Sequence, residues 1–180
     1  MKLEADARLP FPREAVFRAY RDHLVDLLPY LPNVRGIEVR SRTDEAPVTR
    51  MENVWRGGGD IPAAARAVLS DSMLNWTDYA TWDETAWTCT WRIETHAFTE
   101  AVRCAGKNTF HERDGGTLLE IRGELVIDGK KIKGVPSFMA GSIAKTVEQV
   151  LIGKIQPNLV ETAKGLEKYL AANGRRSPTS

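Results

Sequence analysis

Asp78 and Asn108 are the residues whose type and position first invite chemistry. Each falls on the apolar side of an alternating segment, Asp78 in the set Trp76, Asp78, Ala80, Trp82 and Asn108 in the set Val102, Cys104, Gly106, Asn108, Phe110. A carboxylate turned inward needs a partner or a raised pKa, and either condition serves catalysis or the orientation of a ligand. Trp55, Trp76, Trp82, Trp87 and Trp91 are all the tryptophans of the chain, and all precede Ala101. An indole combines a large apolar face with one N–H donor. That suits an amphipathic or ring-bearing ligand, and it equally suits packing of a helix on a sheet.

The other reactive side chains are poorly placed for chemistry. His23 lies among Arg21, Asp22 and Asp26, His96 follows Glu94 in an expected turn, and His111 sits beside Glu112 on an outward position. No two histidines have metal spacing, so neither a metal nor a cofactor is expected. No serine has a nucleophile-elbow context, and no catalytic residue is nominated. Cys89 and Cys104 fall on one face of neighbouring strands, and one register sets them opposite each other. A redox-sensitive pair or an attachment point then stands beside the plainer reading of two small buried thiols. Gly57-Gly58-Gly59-Asp60 lacks the spacing of a phosphate loop and reads as a hinge. With the helical segment opened by Pro62, Ala63 to Leu69, it could cover a cavity mouth. Lys130, Lys131 and Lys133 form a basic cluster, by default a solvated loop, that could touch acidic headgroups or a partner.

Composition narrows the class. The chain has 180 residues, enough for one domain with a real core, and is 42% hydrophobic and 27% charged, as ordinary globular proteins are. Twenty-five basic residues against 24 acidic ones leave no general electrostatic grip on nucleic acid. The N-terminus alternates charged and apolar residues, and no apolar run is long enough to span a bilayer. A cytoplasmic location with reduced thiols is expected.

The elements that must position these residues are legible in their periods. Leu3, Ala5, Ala7 and Leu9 alternate with charges, as in a strand with one buried face. Val16, Phe17, Tyr20, Leu24, Leu27 and Leu28 recur at helical spacing, which predicts two short helices or one bent helix over 12–31. A second strand starts at Ile37, a polar loop from Thr43 to Pro47 follows, and a third strand spans about Val48–Trp55. In that third strand Met51, Asn53 and Trp55 compete with Val48, Arg50 and Val54 for the inward face. Trp87, Cys89, Trp91 and Ile93 form the clearest strand face, and a loop over Asp83–Ala86 would set Trp82 opposite Trp87. Asp114-Gly115-Gly116 marks a tight hairpin. The inward parity is odd at 87–93, even at 102–110 and odd at 119–127, as successive hairpins with even loops require; a slip by two residues would escape this test. From Phe138 to Leu170 the period is helical. Pro157 predicts a bend there. Asn173-Gly174 reads as the cap and 175–180 as a disordered tail, so residues 1–174 form a single expected domain. Strand, helices, strands, long helix describes a curved antiparallel sheet folded around one helix with space between them.

In this order of elements the chain resembles the START-like superfamily, also called Bet v 1-like or the polyketide cyclase/dehydrase and lipid transport (SRPBCC) group. Pro12-Arg13-Glu14-Ala15-Val16-Phe17, the Gly115-Gly116-Thr117 hairpin, and Gly134-Val135-Pro136 leading through Gly141 into the helix carry the likeness. Within the group it is most similar to a bacterial family with no assigned activity. The resemblance covers about 1–172. It implies an α+β helix-grip fold, with a seven-stranded antiparallel sheet around a long C-terminal helix, two small helices after strand 1, and a long apolar cavity.

The expected function is binding or transport of a hydrophobic small molecule, lipid-like or aromatic, without catalysis. The residues expected to line its site are Trp55, Trp76, Asp78, Trp82, Trp87, Cys89, Trp91, Val102, Asn108, Phe110, Leu119, Ile121, Val147 and Leu151. The Gly57–Leu69 segment and the Lys133–Phe138 loop would gate entry. A cyclase/dehydratase acting on a polyketide-like substrate is the alternative, and it needs two titratable groups facing each other inside. A protein-interaction module with a closed cavity is another. Transient membrane contact stays open, and no obligate protein partner is evident.

Overall fold

The computed structural model describes residues 1–58, 74–97, 99–132 and 137–173, with only the backbone described at 137, 143, 146, 147, 150, 151, 154 and 156. The Gly59-Asp60 half of the expected hinge, the helical segment expected over Pro62–Leu69, the Lys133 end of the loop before the long helix, and the 175–180 tail lie outside the described residues.

Strand β1 (Lys2–Leu9) buries Leu3 and Leu9 and turns Lys2, Glu4, Asp6 and Arg8 to solvent. Helix α1 (Arg13–Asp22) follows Pro12 and buries Val16, Phe17 and Ala19 at helical spacing. A 3-10 helix over Val25–Tyr30 comes next, so two short helices fill the expected span. Six strands then run as a meander: β2 (Val34–Glu45), β3 (Val48–Gly57), β4 (Asn75–Asp83), β5 (Thr88–Thr95), β6 (Val102–Arg113) and β7 (Gly116–Ile127). β1 returns to pair with β7, which makes one seven-stranded antiparallel sheet in the order β1-β7-β6-β5-β4-β3-β2. Helix α2 (Ala140–Asn173) continues through Pro157 and lies against β1, β7, α1 and the first 3-10 helix. It comes close to that 3-10 helix at Gly165, where an added Cβ would stand 2.8 Å from Leu31 Cδ2. The sheet grips this helix, and Leu3, Phe17, Leu27, Phe110, Leu119, Ile121, Leu125 and Leu166 form the dry centre between them.

Several sequence expectations change. The polar loop expected over Thr43–Pro47 is mostly strand: β2 runs to Glu45, and Ala46-Pro47 alone, joined by a cis peptide, connects it to β3. Asp44 holds this end together by accepting hydrogen bonds from Thr49 Oγ1 at 2.8 Å and Arg42 Nε at 2.9 Å. The ambiguous face of β3 resolves to Thr49, Met51, Asn53 and Trp55, which share the inner face with β4. Val54 is also buried, on the opposite side.

Trp82 does not oppose Trp87. It pairs with Cys89, and the strand begins one residue later, at Thr88. Asp83 Oδ1 accepts hydrogen bonds from the backbone N–H groups of Thr85 and Ala86, which folds 84–87 into a turn. Trp87 completes that turn with φ of 53°, a left-handed conformation rare for a bulky residue. The displacement is two residues, so parity and face are preserved. Cys89 and Cys104 are likewise not opposite each other. Cys89 pairs with Asn108 and Cys104 with Ile93.

Candidate functional site

The register gathers the expected residues into rows across the inner face of the sheet. One row runs Trp82, Cys89, Asn108, Ile121. The next runs Met51, Ala80, Trp91, Gly106, Gly123. A third runs Asn53, Asp78, Ile93, Cys104, Leu125, and Trp55 faces Trp76 beyond it.

The middle row explains Trp91. An added Cβ at Gly106 would lie 2.3 Å from Trp91 Cζ2, and one at Gly123 would lie 2.8 Å from its Cη2. The two glycines leave a flat bed of backbone on β6 and β7, and the indole lies on it. Trp91 Nε1 donates to Asn108 Oδ1 at 2.8 Å, which fixes the ring's direction and occupies an acceptor of the buried amide. The Cζ2–Cη2 edge of the ring thus occupies the space that side chains at 106 and 123 would fill.

Asp78 is the site's charged group. It is crowded by protein atoms on the inner face and still keeps part of its surface accessible. Burial pushes its carboxyl up to about 6, opposed by a hydrogen bond from Asn53 Nδ2 to Oδ2 at 3.3 Å. Asn53 is 1% exposed, and its Oδ1 has no partner. Trp55 Nε1 and Trp82 Nε1 are also buried donors without acceptors. Unpaired buried polar atoms are costly, and all three lie on the inner face of β3 and β4. Tyr20 joins them from α1: burial holds its hydroxyl well above the usual phenol range, and it faces Cys89, Asp78 and Asn108. Burial also raises the Cys104 thiol to about 11 and holds the Cys89 thiol well above its ordinary value, so neither is a ready nucleophile.

The remaining expected residues divide between two places. Trp55 stacks on Trp76 with centroids 5.6 Å apart and an interplanar angle of 13°. Trp82, Trp87 and Phe110 surround Phe17 edge-on at 5.2, 5.3 and 5.2 Å, and they anchor α1 to the sheet. Trp87 also lies beneath the Arg13 guanidinium at 4.5 Å. Leu119 and Ile121 are fully buried beside this cluster, and Val102 is buried opposite Ile127 near the start of β6. Val147 and Leu151 stand on α2, but their side chains are outside the described residues. The site also holds Tyr20, Asn53, Gly106 and Gly123, which the sequence does not single out as site residues. Helical spacing with Phe17 and Leu24 carries the signal for Tyr20, and alternation with Met51 and Trp55 carries it for Asn53. No local signal ties the glycines to Trp91.

No family model matches the chain, and no curated protein matches it. Solved structures do. TTHA0849 from Thermus thermophilus aligns with a TM-score of 0.67 at 21% identity, over 96% of this chain and 98% of that one. The Zhui aromatase/cyclase from Streptomyces sp. R1128 aligns with a TM-score of 0.69 at 13% identity, over 100% and 99%. Ara h 8.0201 aligns at 0.55 and 18% identity, over 96% and 99%. Identities this low speak for the fold alone, the Bet v 1-like helix-grip fold.

Proposed function

We propose that the protein binds a hydrophobic, ring-bearing or lipid-like small molecule between the inner face of the sheet and α2, without transforming it. The observation that supports this most directly is the Trp91 platform. The Trp91 indole sits against two glycines on the inner face of the sheet, beside unpartnered polar atoms of Asn53, Trp55 and Trp82. Burying ligand area contributes about 25 cal/mol per Å², and the polar atoms set its orientation. That similar folds include an aromatase/cyclase is compatible with such a ligand. Phe138 is 86% exposed and Met139 42%, close in sequence to the exposed Lys130 and Lys131. An apolar wedge flanked by cations suits contact with an anionic bilayer, from which a lipid-like ligand could be drawn.

Native mass spectrometry of freshly purified protein, with extraction of bound molecules, tests the reading. A one-to-one adduct, or stoichiometric uptake of a naphthalene-type fluorescent probe, is expected. A clean protein mass together with no probe uptake overturns it.

A second reading, an enzyme of the cyclase/dehydratase kind, gains from one observation: Tyr20 and Asp78 face each other inside and supply two titratable groups. On that reading Asp78→Asn lowers turnover of a bound substrate at least about 100-fold. Unchanged turnover removes Asp78 from the role.

A further inference from the structure

Asp78 has a negative charge available and, among the described residues, nothing positive to pair with. Among the described residues its one hydrogen bond is the 3.3 Å contact from Asn53 Nδ2. The groups that face it are Tyr20 from α1, Cys89 from β5 and Cys104 from β6, and none can carry a positive charge. From β3 it faces only the neutral amide of Asn53, since Arg50 is exposed and ion-paired to Glu45 at 2.7 Å. Among the described side chains of α2, Lys145 and Lys168 are exposed and Lys164 pairs with Glu161 at 2.9 Å; Glu148 and Glu161 are partly buried, and none of these perturbs Asp78, while the Lys154 side chain lies outside the described residues. A deep carboxylate without a cation is an unfavourable arrangement unless something else supplies one.

The neighbouring atoms show what would fit. Asn53 spends an amide N–H on Asp78 and leaves Oδ1 as a fully buried acceptor without a partner. Two adjacent acceptors, one of them charged, match a group that offers several N–H donors and a positive charge. The stacked Trp55 and Trp76 stand one step along the same strands, and indole faces attract cations.

Resting on the binding reading above, we propose that the ligand is a cationic amphiphile, a ring-bearing or lipid-like amine. Its protonated nitrogen sits between the Asp78 carboxylate and Asn53 Oδ1, and its apolar body lies toward Trp91. A fatty acid or other anionic lipid is disfavoured at the same place by like charge. The carboxyl titrates near pH 6, so it is ionised at neutral pH, and the preference weakens as pH falls through that value.

A matched naphthalene series tests this: aminomethyl, hydroxymethyl and carboxylate compounds of the same ring, titrated calorimetrically into the full chain. At pH 7.5 the amine should bind at least about tenfold tighter than the alcohol, and the carboxylate weakest. At pH 5 the amine's advantage over the alcohol should shrink, and in Asp78→Asn the ratio of the two affinities should fall to about one. Equal binding of amine and alcohol to the wild-type protein at pH 7.5 overturns the proposal and leaves the binding reading standing. Binding of none of the three overturns both. The wild-type pH series needs no variant, so poor folding of Asp78→Asn would not shield the proposal.

Discussion

Asp78 lowers stability at neutral pH, and the sign follows from linkage. Its carboxyl is raised from 3.8 to about 6 by burial, so between these values the unfolded chain has lost a proton that the folded chain keeps. The stability linked to this one group is fully present below about pH 4 and is lost as pH rises through about 6. Replacing the group with a neutral amide removes the penalty. Asp78→Asn should therefore be more stable than wild type by about 2–3 kcal/mol at pH 7.5 and indistinguishable near pH 4, read by urea unfolding at both pH values. A variant that gains stability while losing its preferred ligand is what a site residue, as opposed to a packing residue, should yield. Equal stability of the two proteins at pH 7.5 would mean that Asp78 is not held in the low-dielectric setting described. Arg21 is the contrasting case. It is 8% exposed but bonded to Asp22 at 2.8 Å and to Glu84, so its charge is answered within the chain and ties α1 to the β4–β5 turn.

Two elements, β6 and β7, make the floor on which the site rests. Gly106 and Gly123 are opposite each other in the ladder, and the Trp91 ring covers both. A side chain at Gly106 would meet Trp91 at 2.3 Å and the Arg122 carbonyl at 2.5 Å, and the backbone contact cannot be relieved by a rotamer change. Gly106→Ala should cost about 1–3 kcal/mol, lift the Trp91 ring, and weaken probe uptake at the same time. Wild-type stability with normal uptake would show that the ring is not seated as described. The turn between β4 and β5 works by a different device. The Asp83 carboxylate gathers two backbone N–H groups and lets Trp87 adopt a left-handed conformation, which its packing on Phe17 sustains.

Across the whole molecule, α2 sits on β1 and β7, while Asn53, Trp55, Trp76 and Asp78 belong to β3 and β4 further across the same sheet. The polar atoms thus lie toward one side of the grip and the dry core toward the other. Among the described residues no helix is long and apolar enough to cross a membrane. Phe138, Met139, Lys130 and Lys131 are exposed, and the membrane contact proposed above rests on them. Phe138→Ser combined with Lys130→Gln and Lys131→Gln should lower binding to vesicles containing phosphatidylserine several-fold and leave probe affinity in solution unchanged, since about 1 kcal/mol attends each basic residue near an anionic surface. Vesicle binding that survives these changes would place the contact elsewhere.

Alternation and helical period suffice for the order of elements, the inward face of β4 to β7, and the hairpin at Asp114-Gly115, because these are local consequences of which residues an element must bury. Asp78 and Asn108 are found the same way, as polar residues in apolar positions. Parity is blind to a shift of two residues, so only the folded turn around Asp83 could place Trp82 against Cys89 and separate the two cysteines. The face of β3 is ambiguous in the sequence because both of its sides bury residues, Trp55 on one and Val54 on the other. The meeting of Tyr20 from α1 with Asp78 and Asn108, and of Trp91 with glycines on two other strands, joins residues far apart in the chain. Such contacts are set by how the sheet curves and where α1 docks, and no local spacing encodes either one.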